Sequence, residues 1–159
     1  MRHLHISIQT QTLSAFEDDT LAFQCQVSTA LNGPGCEEGS GKTPFGSHYI
    51  RAKIGANEPI NSVFVGRRAT GEIYSSALSK QFPKRDWILT RILWLCGNEI
   101  GVNRLGNVDS MSRYIYIHGT PDTEPMGVPK SHGCVRMRNN DVLRVFDWAP
   151  LGCPVMIEV

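Results

Sequence analysis

Apolar and polar residues alternate along much of the chain, a period that predicts strands rather than helices. Leu4, Ile6 and Ile8 share one face, with His5, Ser7 and Gln9 on the other. Residues 16–20 (FEDDT) read as a hairpin turn, after which Leu21, Phe23, Cys25 and Val27 alternate with Gln24, Gln26 and Ser28. Two opening strands joined by such a turn predict an antiparallel pair. Residues 48–54 (HYIRAKI) alternate again, and Val63-Phe64-Val65 is a short apolar run. Residues 75–86 are expected to be irregular, because Pro83 opposes a long helix. Residues 87–96 are apolar on both faces except at Thr90 and Arg91. Periodicity there fits a central strand or a short buried helix; the Ile and Trp content favours the strand. Arg91 would then need a partner or face a site.

Glycines and asparagines make residues 97–109 turn-rich, and Tyr114 to His118 reads as the next strand. Asn139 or Asn140 is placed to cap a helix whose inner face is Val142, Val145, Phe146 and Ala149, with Asp141 near its positive end. Pro150 and Gly152 stop it, and Val155, Ile157 and Val159 alternate in a closing strand. No repeat, linker or low-complexity tract interrupts the pattern. The expectation is a mainly β, β-rich α+β fold: a single sandwich or barrel-like domain over residues 1–159, with a short C-terminal helix before the last strand.

Composition narrows the function. The chain has 159 residues, 41% hydrophobic and 19% charged, enough for one substantial core. A net charge of +1 argues against nucleic acid or an anionic membrane surface as partner. Gly41-Lys42-Thr43 suggests a phosphate-binding loop, but the glycine that motif requires would fall at Cys36. The five cysteines are an odd number and none pairs at Cys-x-x-Cys spacing, so at least one thiol is free in the monomer. Cys25, Cys96 and Cys153 read as small core residues, and unpaired thiols favour a reducing compartment. Residues 1–9 contain no seven-residue apolar run, so neither a secretory leader nor a membrane span is expected. That predicts a cytoplasmic protein, or a periplasmic one if a leader has been removed.

The chemistry concentrates in Ser131-His132-Gly133-Cys134-Val135-Arg136-Met137 and in His118-Gly119-Thr120, which ends the strand before it. A thiol attacks as thiolate and needs a base and a favourable field. His118 can supply the base for Cys134, and Arg136 a positive charge. His-Gly-Thr followed by Ser-His-Gly-Cys, a hydrophobic residue, Arg and Met resembles the catalytic core of the L,D-transpeptidases, the YkuD-like domain of bacterial peptidoglycan metabolism. The likeness extends to Val27-Ser28-Thr29, Thr43-Pro44-Phe45-Gly46 and Pro154-Val155-Met156-Ile157, covering roughly residues 20–159.

The resemblance implies that Cys134 is the nucleophile and His118 its base, with the Gly119 carbonyl orienting the imidazole. Amides of His132, Gly133 and Cys134 are candidates for an oxyanion hole. His132 lines the site or braces its loop. Arg136 stabilises the thiolate or holds a substrate carboxylate. Ser131 is expected to be structural or a weak hydrogen-bond partner, Tyr116 to share the face of His118, and Thr43 to shape the substrate cleft. Three rivals remain: zinc on His118, His132 and Cys134, a sortase-like His-Cys-Arg site, and a non-catalytic muropeptide-binding module. Under the resemblance no cofactor or metal is needed. The partners are peptidoglycan tetrapeptide stems or soluble muropeptides; no oligomeric state is assigned. Cleavage falls between meso-diaminopimelate and D-alanine. Location then favours an L,D-carboxypeptidase of murein recycling over an exported transpeptidase that forms 3→3 cross-links.

Overall fold

The computed structural model describes residues 1–159. Ten strands form one continuous sheet: β1 (Arg2–Ser7), β2 (Thr12–Glu17), β3 (Thr20–Gln26), β4 (Gly46–Ile54), β5 (Ser62–Val65), β6 (Arg68–Ile73), β7 (Ile88–Gly97), β8 (Tyr116–Gly119), β9 (Val135–Met137) and β10 (Pro154–Glu158). Two α-helices accompany them, α1 (Ser76–Gln81) and α2 (Asn139–Trp148). The main strand order is β3-β2-β1-β10-β4-β7-β5-β6, and β8 branches from β7 to carry β9. The stretch after β3 then reaches back: Ser28 and Arg136 exchange both backbone hydrogen bonds at 2.9 Å. Strands β3-β2-β1-β10-β4-β7-β8-β9 thus return on themselves, and the expected β-rich, barrel-like architecture is observed. No helix is long and apolar enough to cross a membrane.

Closure leaves one large interior. Leu4, Ile6, Leu13, Ile50, Leu93, Leu95, Ile117, Val135, Met137 and Ile157 belong to a core cluster of 20 buried residues. Val142, Val145, Phe146 and Ala149 of the α2 segment join it, as the helical spacing predicts. The last strand lies inside the sheet, parallel to β1 and antiparallel to β4.

Several elements differ from the sequence-based expectation. A separate strand, β2, lies between β1 and β3, so the opening strands pair through it and not with each other. The turn is only Asp18-Asp19, because Phe16, Glu17 and Thr20 already pair across β2 and β3. Segment 68–73 forms β6, which the chain's polarity hides: five of its six residues are exposed. Residues 75–86 are not wholly irregular, since Ser75 caps α1 by accepting the Leu78 N–H at 3.1 Å. Strand β8 begins at Tyr116, Tyr114 being a left-handed turn residue with φ 58°. The cap of α2 is Arg138 without a side-chain bond, because the Asn139 side chain is engaged elsewhere. Cys25 is half-buried, whereas Cys96 and Cys153 are core residues. Arg91, by contrast, takes the first of its two expected courses and is partnered: its Nη1 donates to the carbonyls of Thr90 and Glu58 at 2.6 and 2.9 Å.

Candidate active site

The alternation that fills the core also decides which side chains are left for chemistry. On β8 and β9, Ile117, Val135 and Met137 turn inward. Tyr116, His118, Cys134 and Arg136 must therefore point to the opposite face. Parallel pairing sets His118 beside Arg136 and Ile117 beside Val135, with Cys134 immediately before β9. All four line one open pocket of about 640 Å³, together with Arg67, Asp86 and Arg113.

His118 is buried, and its Nδ1 lies 2.6 Å from the Gly119 carbonyl oxygen. A carbonyl only accepts, so Nδ1 carries the proton and Nε2 keeps its lone pair. Burial holds the imidazole below its ordinary value; the Gly119 bond and Asp86 oppose the shift and Arg136 adds to it. The ring is thus neutral near pH 7. Gly119 permits the approach, because a Cβ there would stand 2.4 Å from Asn139 Oδ1 and 2.6 Å from the Leu89 carbonyl. Asn139, a buried residue that the sequence pattern marked only as a cap, donates from Nδ2 to the Thr120 carbonyl at 3.0 Å. Its Oδ1 accepts the Thr90 hydroxyl at 2.6 Å. It therefore ties the His-Gly-Thr turn to β7.

The Cys134 thiol donates to the Tyr114 carbonyl at 3.3 Å and accepts the Tyr116 N–H at 3.4 Å. Burial pushes it up to about 12, with Asp86 adding to the rise and the Tyr116 amide, Arg136 and Arg113 opposing it. At rest both the thiol and the His118 imidazole are neutral, and the thiol's hydrogen bond goes to the Tyr114 carbonyl. Its loop is internally braced. Ser131 Oγ donates to the Cys134 carbonyl at 2.6 Å and accepts the Gly133 N–H at 3.2 Å. Thr43 Oγ1 donates to the Gly133 carbonyl at 2.8 Å and accepts the Ala30 N–H at 2.9 Å. Thr43, expected at the substrate cleft, instead lies fully buried behind the loop with its hydroxyl committed in both directions. Gly133 adopts φ 139°, which disfavours any residue with a Cβ. Of the three amides expected in an oxyanion hole, that of Gly133 is taken by Ser131. Those of His132 and Cys134 have no partner within the protein.

Asp86 was not legible in the sequence, where it ends a patternless stretch. Here its Oδ1 accepts Arg136 Nη2 at 3.1 Å, and its Oδ2 lies 3.6 Å from Nδ1 of the exposed His132. Arg136 also donates to the Lys130 carbonyl at 3.3 Å, so its guanidinium reaches the pocket already paired. Tyr116 packs with Phe64 and Ile92, while its hydroxyl accepts Arg67 Nη1 at 3.0 Å. No three His, Cys, Asp or Glu side chains converge in a metal-holding group.

Comparisons with known proteins bear on the family and the fold. The family model of the YkuD L,D-transpeptidase catalytic domain matches residues 1–157. A probable L,D-transpeptidase of Salmonella typhimurium, ErfK/SrfK, is 40% identical over 47 residues, 30% of this chain and 15% of that protein. Among solved structures, an L,D-transpeptidase from Mycobacterium smegmatis superposes with a TM-score of 0.58 at 15% identity, covering 99% of this chain and 58% of that one. L,D-transpeptidase 3 from Mycobacterium tuberculosis, with a faropenem-derived adduct, gives 0.60 at 16% identity, covering 99% and 60%. At such identity these two likenesses speak for the fold, and the chain spans about three fifths of their length.

Proposed function

The chain belongs to the YkuD family of L,D-transpeptidase catalytic domains, and on that premise we propose that it is a cysteine L,D-peptidase. It cleaves the bond between meso-diaminopimelate and D-alanine in peptidoglycan tetrapeptide stems. The observation that carries the reading is that His118 on β8 and Cys134, the residue leading into the parallel strand β9, open on one pocket. Because thiol and imidazole rest neutral, proton transfer from Sγ to His118 Nε2 accompanies attack on the carbonyl carbon rather than preceding it. The amides of His132 and Cys134 then face the developing oxyanion; one such donor is worth about 2.7–4 kcal/mol. The imidazolium returns its proton to the departing D-alanine amine, leaving an acyl-enzyme on Cys134.

Water completes the turnover as an L,D-carboxypeptidase, releasing tripeptide. Five free cysteines support this outcome, since unpaired thiols suit a reducing compartment where soluble muropeptides, not polymeric wall, are the substrate. The test is incubation with disaccharide-tetrapeptide, with and without a second stem, and mass analysis of the products. Free D-alanine and tripeptide are expected, and Cys134→Ala should abolish both while retaining the folded state. Dimers carrying 3→3 links would replace hydrolysis with cross-linking; undiminished turnover in Cys134→Ala would end the cysteine mechanism.

A further inference from the structure

Three arginines line the pocket, and their surroundings separate them. Arg136 is paired with Asp86 and the Lys130 carbonyl. Arg113 is spent on the carbonyls of Gly35 and Lys42, at 3.3 and 2.6 Å, and sits 3.5 Å from Ser40 Oγ. Arg67 has neither a carboxylate nor a carbonyl; one Nη1 bond to the neutral Tyr116 hydroxyl is its single polar contact. Its guanidinium is nonetheless fixed, stacked 4.7 Å from the Tyr114 ring centroid and 5.0 Å from that of Trp94. Stacking restrains the plane and leaves an N–H edge free, the geometry that receives a carboxylate side-on.

The backbone at this point adds weight. Val65 pairs with Arg68, so Gly66 and Arg67 are the two turn residues of the β5–β6 hairpin, with φ 56° and 66°. That turn favours Gly, Asn or Asp at both positions, and an arginine there costs roughly 1–2 kcal/mol of backbone strain. A strained arginine at a hairpin tip that lines the pocket calls for a use.

We propose that Arg67 is the pocket's carboxylate receptor, binding an anionic group of the stem peptide and setting its register against Cys134. The inference rests on the proposed peptidase reading, under which two carboxylates flank the scissile bond: that of the leaving D-alanine and that on the D-centre of diaminopimelate. Arg67→Gln and Arg67→Lys are to be assayed on the tetrapeptide stem, on its D-alaninamide analogue and on a stem amidated at the diaminopimelate D-centre. Arg67→Gln should lower kcat/KM on the free-acid stem roughly ten- to a hundredfold, chiefly through KM, and Arg67→Lys should recover part of it. The amidated analogue on which Arg67→Gln has no further effect identifies the bound carboxylate. An equal loss on all three substrates would make Arg67 structural and overturn the proposal. Should no stem be turned over by the unaltered protein, protection of Cys134 from iodoacetamide by the free-acid stem against each of its two monoamides decides. Weaker protection by the free acid in Arg67→Gln, with no change for one monoamide, sustains the receptor while the peptidase reading fails; equal protection by all three in both proteins overturns both.

Discussion

At the scale of single residues, the site depends on protonation states that burial sets. A thiol pushed up to about 12 and an imidazole held below its ordinary value do not exchange a proton at rest. Alkylation of Cys134 by iodoacetamide, followed by peptide mass, should therefore accelerate about tenfold per pH unit from neutrality to beyond pH 9. A rate already constant below pH 7 would reveal a preformed thiolate–imidazolium pair and contradict the neutral resting state. The residues proposed to react were legible: His118, Cys134 and Arg136 stand in a dense motif, and Ile117, Val135 and Met137 between them declare which face is core. Asp86 and Asn139 were not, because a polar side chain far along the chain acquires meaning only from what it meets.

At the scale of elements, the loop carrying Cys134 is held by hydroxyls rather than by a helix or a disulfide. Ser131 closes it on itself and Thr43 anchors it to the segment after β3. Thr43→Val keeps the shape, removes both bonds and leaves the Ala30 N–H and Gly133 carbonyl unpaired in a buried place. The expected loss is about 1–3 kcal/mol of stability by thermal unfolding. Turnover should fall on the order of tenfold or more, since a shifted loop misaims the sulfur. Full turnover with reduced stability would confine Thr43 to support of the fold. The strands that sequence missed share one cause. β6 is almost wholly exposed, and the core face of β2 is only Leu13 and Ala15, too few apolar positions to declare a period.

For the whole molecule, the buried titratable groups predict a stability maximum between mild acid and mild base. His48 and His118 both lie below their ordinary 6.5 through burial. The unfolded chain therefore takes up protons first, and stability falls as pH drops below that value. Cys134 and Cys25 are pushed up to about 12, and Cys153 is raised, all by burial. Unfolded thiols ionise near 9.0, so stability also falls above that pH. Each group contributes a limiting slope of about 1.4 kcal/mol per pH unit. Denaturant midpoints between pH 4 and 11 check this. A midpoint that continued to rise below pH 6 would contradict the neutral burial of the two imidazoles.

The residues by themselves determined the β-rich class, the inner face of the late helix, the strand expected over 87–96 and the Cys-His motif, because alternation, composition, helical spacing and a local signature are properties of neighbours in the chain. Only the tertiary structure decided that β10 lies between β1 and β4, that Thr43 braces the nucleophile's loop, and that Asp86 and Arg67 enter the pocket. Those pairings join positions tens of residues apart, and their free energy comes from closing one sheet around a shared core, which no local pattern encodes.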